Sequence, residues 1–547
     1  MSTGHAAALD GLEAAFGTRP LADLCAGIAA LLPELDDDPG LRARALGDLG
    51  VIAHAMGDAA AAADHFEHAL DAVPGYEPAL TGLASLVRAS GDGLQAVALA
   101  RQAALAEPGD AERWRSLSAY SAEAGLWPLA GEAARRILAL APGDPGAAEL
   151  ERRAVQALGP QLPPSHRLLV AVERFHPSTG GSERLAEDAA LALRDRGWQV
   201  DVVTRAMDER ESREHRGLRI HEVRLESAQH ELAAIVARGA YDAILAFATP
   251  ASWPVLAPLA LAHPRPRVVV VPCVNGQVDA ELRADRRLLR HYEALLTGAD
   301  AIGHSSLDGL DRRLCADLHL RSAYLPNAVH ADAADHGAAE RLGLAPGEPF
   351  ALVVGNHWPE KDHLGLLAHL QLHDDDLRVV LVGGAAPELP ELSEEIARQA
   401  ARDPRVILAG PRGREEVSGL MDAASLLLLP SKVEATPLVI LEAMSHGLPW
   451  IATPGAGAVH DHAGGLIVGL ERFLPAARAL LAQPAATERL GAAGREHWAA
   501  SYSWERLAAR YDALLRGADV LPSLDAPPAA LAATAAVRDE LLGRAAA

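Results

Sequence analysis

The sequence predicts an α/β chain in which two doubly wound lobes follow one another behind an all-α solenoid of helical repeats. Three observations carry this reading. A 34-residue period runs through the first third, short buried-strand runs alternate with helical segments from residue 165 to 515, and glycine turns fall between strand and helix. At 547 residues the chain is too long for one core, and with half its residues hydrophobic it can fill several.

The repeats come first. Gly57, Gly91 and Gly125 are spaced 34 apart, as are Pro74, Pro108 and Pro142. Ala62, Ala96 and Ala130 hold the same register, as do Leu49, Leu83 and Leu117, with Trp114 at the first aromatic position of the third unit. Each helix pair of such a unit carries one apolar face that it cannot bury alone, so neighbours stack into a superhelix with a concave groove. The pattern resembles the tetratricopeptide repeat over residues 43–144. Residues 1–42 read as a degenerate repeat or cap and 145–158 as a closing helix, so that the module spans 1–158. The resemblance implies a groove for a peptide or protein segment; a structural or dimerising role is the other reading.

Pro160, Pro163 and Pro164 mark a linker. A first lobe, 165–335, then opens with a strand at 167–173, a loop with Gly180 and Gly181, a helix over 182–196 and a strand at 198–204, which is a βαβ unit. Further strands are expected at 243–248, 267–271, 301–304 and 323–325. The second lobe, 336–515, has strands expected at 350–355, 378–383, 406–409, 425–430 and 449–453. Two such lobes form a cleft between the carboxyl ends of their strands, where open α/β sheets bind ligands. Residues 516–547 are an Ala/Pro-rich tail to which no function is assigned.

Composition excludes several classes. A formal net charge of −23 argues against nucleic-acid binding, which needs clustered cations, and the first 164 residues set 11 basic against 22 acidic groups. Arg205, Arg210, Arg213, Arg216, Arg219 and Arg224 do cluster, and read either as a contact to anionic lipid or an acidic acceptor or, interleaved with Glu209, Glu211 and Glu214, as a solvated loop. Cys25, Cys273 and Cys315 offer neither a disulfide framework nor a zinc pattern, which with the absence of a secretory signal points to the cytoplasm. The longest apolar stretch, 243–262, is broken by Pro250, Pro254 and Pro258, so no transmembrane segment is expected, although peripheral membrane contact remains open. Only two of the 50 basic residues are lysine, Lys361 and Lys432, and both lie in the segments that carry the chemistry.

The strongest motif is Glu434-Ala-Thr-Pro-Leu-Val-Ile-Leu-Glu442, two glutamates separated by seven residues. Thr436 fits an N-cap and Pro437 the first helical turn, while Gly447 and Pro449 end the helix. The free backbone N–H groups near Pro437, Leu438 and Val439 then suit a diphosphate. Next is Gly355-Asn-His-Trp-Pro-Glu-Lys361, directly after a strand, and third is the Gly180-Gly181 pair, where the backbone can approach phosphate or sugar without a Cβ in the way.

On these motifs residues 165–515 resemble retaining glycosyltransferases of family 4, which have the two-lobed GT-B fold. The resemblance implies that Glu434 contacts donor-sugar hydroxyls, that Glu442 holds the ribose hydroxyls, and that Lys361 neutralises the departing diphosphate. Lys361 and Glu434 are thus the expected catalytic residues. Gly180, Gly181, Gly355, Asn356, Gly410, Arg412, Thr436, Pro437, Leu438, Val439 and Glu442 are the expected donor site. Pro326-Asn327-Ala328-Val329 matches the family's interlobe segment. The chain departs from the pattern at Asn356, where a phosphate-binding arginine is usual, with Arg412 or Lys432 as substitutes. It departs again at Phe247-Ala-Thr249 and Asn275-Gly276, where histidines are usual. These positions place Thr249, Asn275 and His176 on the acceptor side. The histidines His176, His304 and His357 lack metal-ligand spacing, and Asp374-Asp375-Asp376 reads as a solvated turn. No metal or cofactor is therefore expected beyond a nucleoside-diphosphate sugar as co-substrate. The implied reaction moves a hexose-like group to an acceptor with anomeric retention. The repeats point to a protein or peptide acceptor, by fold-level analogy. A surface polysaccharide or lipid-linked glycan is the alternative acceptor, and a catalytically degenerate scaffold is the alternative of another class.

Overall fold

The computed structural model describes residues 2–158, 166–178, 180–224, 228–248, 266–373, 376–386, 389–518, 521–522, 524 and 528–544. They form two compact units. One holds the described part of residues 1–164 together with 285–300, and the other holds the rest.

In the first unit the 34-residue period becomes three helix pairs: Pro39–Ala55 with Ala59–Ala72, Glu77–Ala89 with Gly93–Ala106, and Ala111–Glu123 with Trp127–Leu140. The helices Ser2–Glu13 and Leu21–Leu31 precede them and Pro145–Leu158 follows. The periodic glycines turn each pair. Gly57, Gly91 and Gly125 adopt φ of 84°, 93° and 74°, a left-handed conformation that a Cβ penalises. Asp58 and Asp92 then cap the second helices by accepting from the N–H of Ala61 and Gln95. Ala62, Ala96 and Ala130 are all fully buried, so the helices approach at the width of a methyl group. Gly50 and Gly82 both lie against the Phe66 ring, which fills the space their missing side chains leave.

One helix of this unit comes from far along the chain. Arg286–Thr297, placed within the first lobe by its position in sequence, packs instead on Gly93–Ala106. Its stripe of Tyr292, Leu295 and Leu296 is buried, and Arg290 pairs with Glu67 while Glu293 accepts from Gln102. Position along the chain misassigned it because the apolar face found its partner on the repeats.

The second unit contains both sheets. Eight strands form the first: β1 (Arg167–Val172), β2 (Gln199–Arg205), β3 (Glu214–His215), β4 (Leu218–Val223), β5 (Ala243–Ala248), β6 (Arg267–Pro272), β7 (Ala301–His304) and β8 (Ala323–Tyr324). Their order is β3-β4-β2-β1-β5-β6-β7-β8, parallel except for the short β3–β4 hairpin. Six form the second: β9 (Phe350–Val354), β10 (Arg378–Val382), β11 (Val406–Gly410), β12 (Leu426–Leu429), β13 (Trp450–Ala452) and β14 (Gly465–Ile467). Their order is β11-β10-β9-β12-β13-β14. The unbroken apolar runs of β1, β5, β6 and β12 are buried along nearly their whole length, as parallel strands covered on both faces require. Strand order reverses between β1 and β5 and between β9 and β12, and the loops leaving β1, β9 and β12 carry Gly180-Gly181, Gly355–Lys361 and Ser431–Glu434. Sequence reading missed β3, β4 and β14, whose runs are short or interrupted by charge.

A C-terminal helix also departs from expectation. Trp504–Leu515 was assigned to the second lobe, yet Trp504, Leu507, Tyr511 and Leu514 join the core of the first, and Trp198 donates to Asp512 at 2.8 Å. In the Ala/Pro-rich tail Pro528–Arg544 forms a helix against the second lobe, with Val537 and Leu541 in its core. No helix among the described residues is long and apolar enough to cross a membrane. Pro250, Pro254 and Pro258 and the linker prolines lie outside the described residues, as do Asp374 and Asp375.

Candidate active site in the interlobe cleft

The loops after β9 and β12 assemble one half of the site. The β9 loop enters at Gly355, whose carbonyl oxygen lies so close to Gly383 that a Cβ there would stand 1.9 Å from it. A short 3-10 turn, Pro359–Lys361, then brings Lys361 round to the β12 loop. There the Lys361 Nζ donates to Glu434 Oε1 at 2.5 Å, and Ser431 Oγ donates to the same oxygen at 2.8 Å. The β12 loop is itself fixed by backbone contacts, since Lys432 N donates to the Glu360 carbonyl at 2.7 Å and Ala458 N to the Ala435 carbonyl at 2.9 Å. A carboxylate held on one oxygen by a hydroxyl and an ammonium keeps its other oxygen free to accept from a ligand hydroxyl. Beneath them His363 is buried and bonded to the Gly355 backbone. Burial, with His357 and Lys361 as neighbouring charges, lowers its pKa to about 4, so it is neutral at pH 7.

Glu442 lies on the helix Leu438–His446 and is buried. Burial raises its pKa, opposed by the Arg184 guanidinium, with which it forms an ion pair across the cleft. Arg184 also donates to Asp332 at 2.7 Å. Beside it Arg414 makes a bidentate bond to Asp188, both contacts at 2.8 Å, and reaches Asp332 at 3.2 Å. The lobes are joined at a second point by Ser305 Oγ and Thr436 Oγ1 at 3.0 Å, and by Asn327 Nδ2 donating to the Thr436 carbonyl at 3.2 Å. Pro326–Val329 thus serves as a structural seam, with Val329 N donating to the Tyr502 carbonyl.

The helix carrying Glu442 starts one residue later than the sequence suggested. Pro437 occupies the N-cap position, no side chain caps it, and Gly447 ends it in a left-handed turn with φ of 65°. Thr436 is therefore not the cap; its hydroxyl is drawn to Ser305, a partner from the other lobe that no local rule anticipates. Asn356 turns its amide oxygen to Gly384 N at 3.0 Å, which makes it a brace for the turn after β9 rather than a source of charge. Gly410 ends β11 with φ of 71°, and Arg412 lies 3.8 Å from Glu416 at the start of the next helix. Lys432 pairs with Asp362 at 2.7 Å. On the first lobe His176 stacks on His215 with centroids 3.8 Å apart, and Asn275 caps the helix Gly276–Ala284 by accepting from Val278 N. Thr249 lies outside the described residues.

Three arginines of the cluster pair with Glu222 and Glu187 rather than with the interleaved Glu209, Glu211 and Glu214 of the expected solvated loop. Arg210 is buried against Glu222, Arg216 pairs with Glu187 at 2.6 Å and Arg213 with Glu222 at 3.6 Å. Sequence reasoning missed Arg184, Asp188, Asp332, Arg414 and Ser431. The one signal that pointed to any of them was proximity: Arg184 three residues beyond the glycine pair, and Ser431 three before Glu434.

Comparison with known proteins bears on the family and the fold. Residues 348–483, which hold Gly355, Lys361, Glu434 and Glu442, match the family described as glycosyl transferases group 1, and residues 53–119 match the tetratricopeptide repeat. Among curated relatives, the D-inositol 3-phosphate glycosyltransferase of Nocardia farcinica is 36% identical over 189 residues, 32% of this chain and 42% of that protein. The alpha-maltose-1-phosphate synthase of Mycobacterium tuberculosis is 30% identical over 185 residues, 30% of this chain and 47% of that protein. The chain thus spans less than half the length of the curated relatives it matches. Among solved structures, sucrose-phosphate synthase of Thermosynechococcus elongatus superposes with a TM-score of 0.55 at 23% identity, covering 64% of this chain and 98% of that one. The Anabaena protein HepE in complex with UDP and glucose also gives 0.55, at 19% identity, covering 64% of this chain and 99% of that one. The chain carries a glycosyl transferases group 1 domain, within a GT-B fold, behind a module of tetratricopeptide repeats.

Proposed function

We propose that the chain transfers a hexose-like group from a nucleoside-diphosphate sugar to an acceptor with retention of anomeric configuration. The observation that carries this reading is the convergence of Lys361, Ser431 and Glu434 at the carboxyl edge of the second sheet, with Glu442 buried on the adjoining helix. In this reading Glu434 accepts from donor-sugar hydroxyls and Glu442 from the ribose. As the glycosidic bond breaks, Lys361 meets the charge that develops on the diphosphate. The diphosphate itself takes the acceptor's proton on the face where the acceptor attacks, so no protein nucleophile is needed. The donor fit rests also on similarity to a protein solved with UDP and glucose.

The acceptor we propose is a protein or peptide held by the repeats. The inserted helix Arg286–Thr297 packs on the second helix of a pair, Gly93–Ala106, and bonds to Glu67 and Leu70 on another second helix, Ala59–Ala72. A second acceptor class, a small phosphorylated polyol or sugar, is favoured by the names of the curated relatives. We place the reaction in a reducing compartment, the cytoplasm, in keeping with three free cysteines, and propose that it needs no metal.

A thermal-shift screen of the full chain against UDP, GDP, ADP, CDP and dTDP, with and without magnesium, tests the donor. A magnesium-independent rise with one diphosphate that is lost in Glu442→Ala supports the reading, and no rise with any of them overturns it in favour of a scaffold. Labelled donor offered with a peptide library or with D-inositol 3-phosphate separates the acceptors: label in the peptide fraction is expected, and label confined to the phosphate would replace it.

A further inference from the structure

A nucleoside diphosphate gains a full negative charge as its sugar departs, and preorganised cations are the means of meeting it. The cleft is short of them. Lys361 is already shared with Glu434 at 2.5 Å. Asn356 brings no charge, and its amide is bonded to Gly384. Arg414 is committed to Asp188 and Asp332, Lys432 stands 63% exposed on Asp362, and Arg412 lies beside Glu416.

Arg184 is placed differently. It lies in the first turn of the helix Gly181–Asp195, directly after Gly180-Gly181, where the N-terminal N–H groups already favour an anion. One edge of its guanidinium is anchored by Asp332 at 2.7 Å, and the other meets Glu442. Its Nε is buried without a hydrogen-bond partner among the described residues. A planar fork with an unspent donor suits phosphate oxygens. Glu442 has acceptor capacity beyond this one pair.

We propose that Arg184 is the second cation for the donor's diphosphate, an inference that rests on the donor reading of this cleft. Without donor it neutralises Glu442. When the ribose hydroxyls take that carboxylate, the guanidinium turns its free edge to the phosphates, and Asp332 keeps its other edge in place. The donor thereby completes the contact between the first lobe and the second.

The test is isothermal titration of the full chain with UDP, GDP and ADP, each against its parent nucleoside. Wild type should bind one diphosphate far more tightly than the nucleoside. In Arg184→Gln that preference should fall about tenfold, with weaker salt dependence, while nucleoside affinity stays within about twofold. Arg184→Lys, which keeps the charge and loses the fork, should fall between, and it replaces Arg184→Gln if the latter does not fold. Equal weakening of diphosphate and nucleoside would overturn the proposal, because Arg184 would then act only by holding Glu442. Unchanged binding of both would overturn it too. Wild type that binds no diphosphate removes the donor reading itself, a result separate from either.

Discussion

Glu293 in the repeat unit and Glu442 in the second lobe are both buried carboxylates with arginines nearby, and burial raises the pKa of each. Their surroundings differ. Glu293 is wholly enclosed between two helices. It accepts from Gln102, with Arg101 near, while Arg290 at its side is spent on Glu67. Glu442 keeps a sliver of exposure and faces an arginine that arrives from the opposite lobe. A buried acid therefore does not mark a site. What separates the two is whether the compensating charge belongs to a closed packing layer or to a surface that a ligand can enter.

Several substitutions would sharpen or break this contrast. The largest effects should come from the free-standing half of the cleft. Lys361→Ala or Glu434→Gln should lower kcat by roughly 10²–10³-fold or more with an unchanged melting curve, because each removes a group that meets developing charge or a sugar hydroxyl. Wild-type-like turnover in either would detach this cluster from the chemistry. Glu442→Gln should weaken nucleoside-diphosphate binding about 10–100-fold, whereas Glu293→Gln should leave it unchanged. If both weakened it alike, the distinction between the two acids would fall.

The third prediction concerns pH. The pKa of Glu293 is raised from 4.5 to about 7 in the folded chain, chiefly by burial. Below the lower value both states hold the proton. As pH rises from 4.5 to about 7 the unfolded chain ionises first, so stability falls through that window and the loss is complete above it. Glu293→Gln, which cannot ionise, should flatten the fall of Tm between those pH values and gain about 1 kcal/mol relative to wild type above it. An identical slope in the variant would show that folding leaves the pKa of Glu293 unchanged. A loss of stability of similar size is expected in the repeat turns, where Gly91→Ala forces a Cβ into φ of 93° and should cost about 1–2 kcal/mol. A neutral outcome would mean that the turn relaxes.

Much of this was readable from residue order. The helix pairs, eleven of the strands and the two loops that meet at Lys361 and Glu434 follow from periodicity, glycine turns and motif spacing, all of which act over a few residues. The misreadings share a cause. Thr436 looked like a cap because Ser305, its actual partner, is 131 residues away. Helix Arg286–Thr297 and helix Trp504–Leu515 were each assigned to the lobe that surrounds them in sequence. An amphipathic pattern says that a face will be buried, and it does not say against what. The short hairpin Glu214–Val223 was hidden by its charges, and aligning its strands sets Glu214 opposite Arg219.

By itself, then, the sequence determined the architecture of repeats and doubly wound lobes, the glycines that turn them and the identity of the residues on the β9 and β12 loops. Local backbone preference and apolar period are sufficient for that. Only the tertiary structure decided which charges face one another. Arg184 with Glu442 and Asp332, and Arg414 with Asp188 at a separation of 226 residues, meet because two sheets close their carboxyl ends together. Ion pairing depends on distance and burial, and neither exists until the lobes have packed.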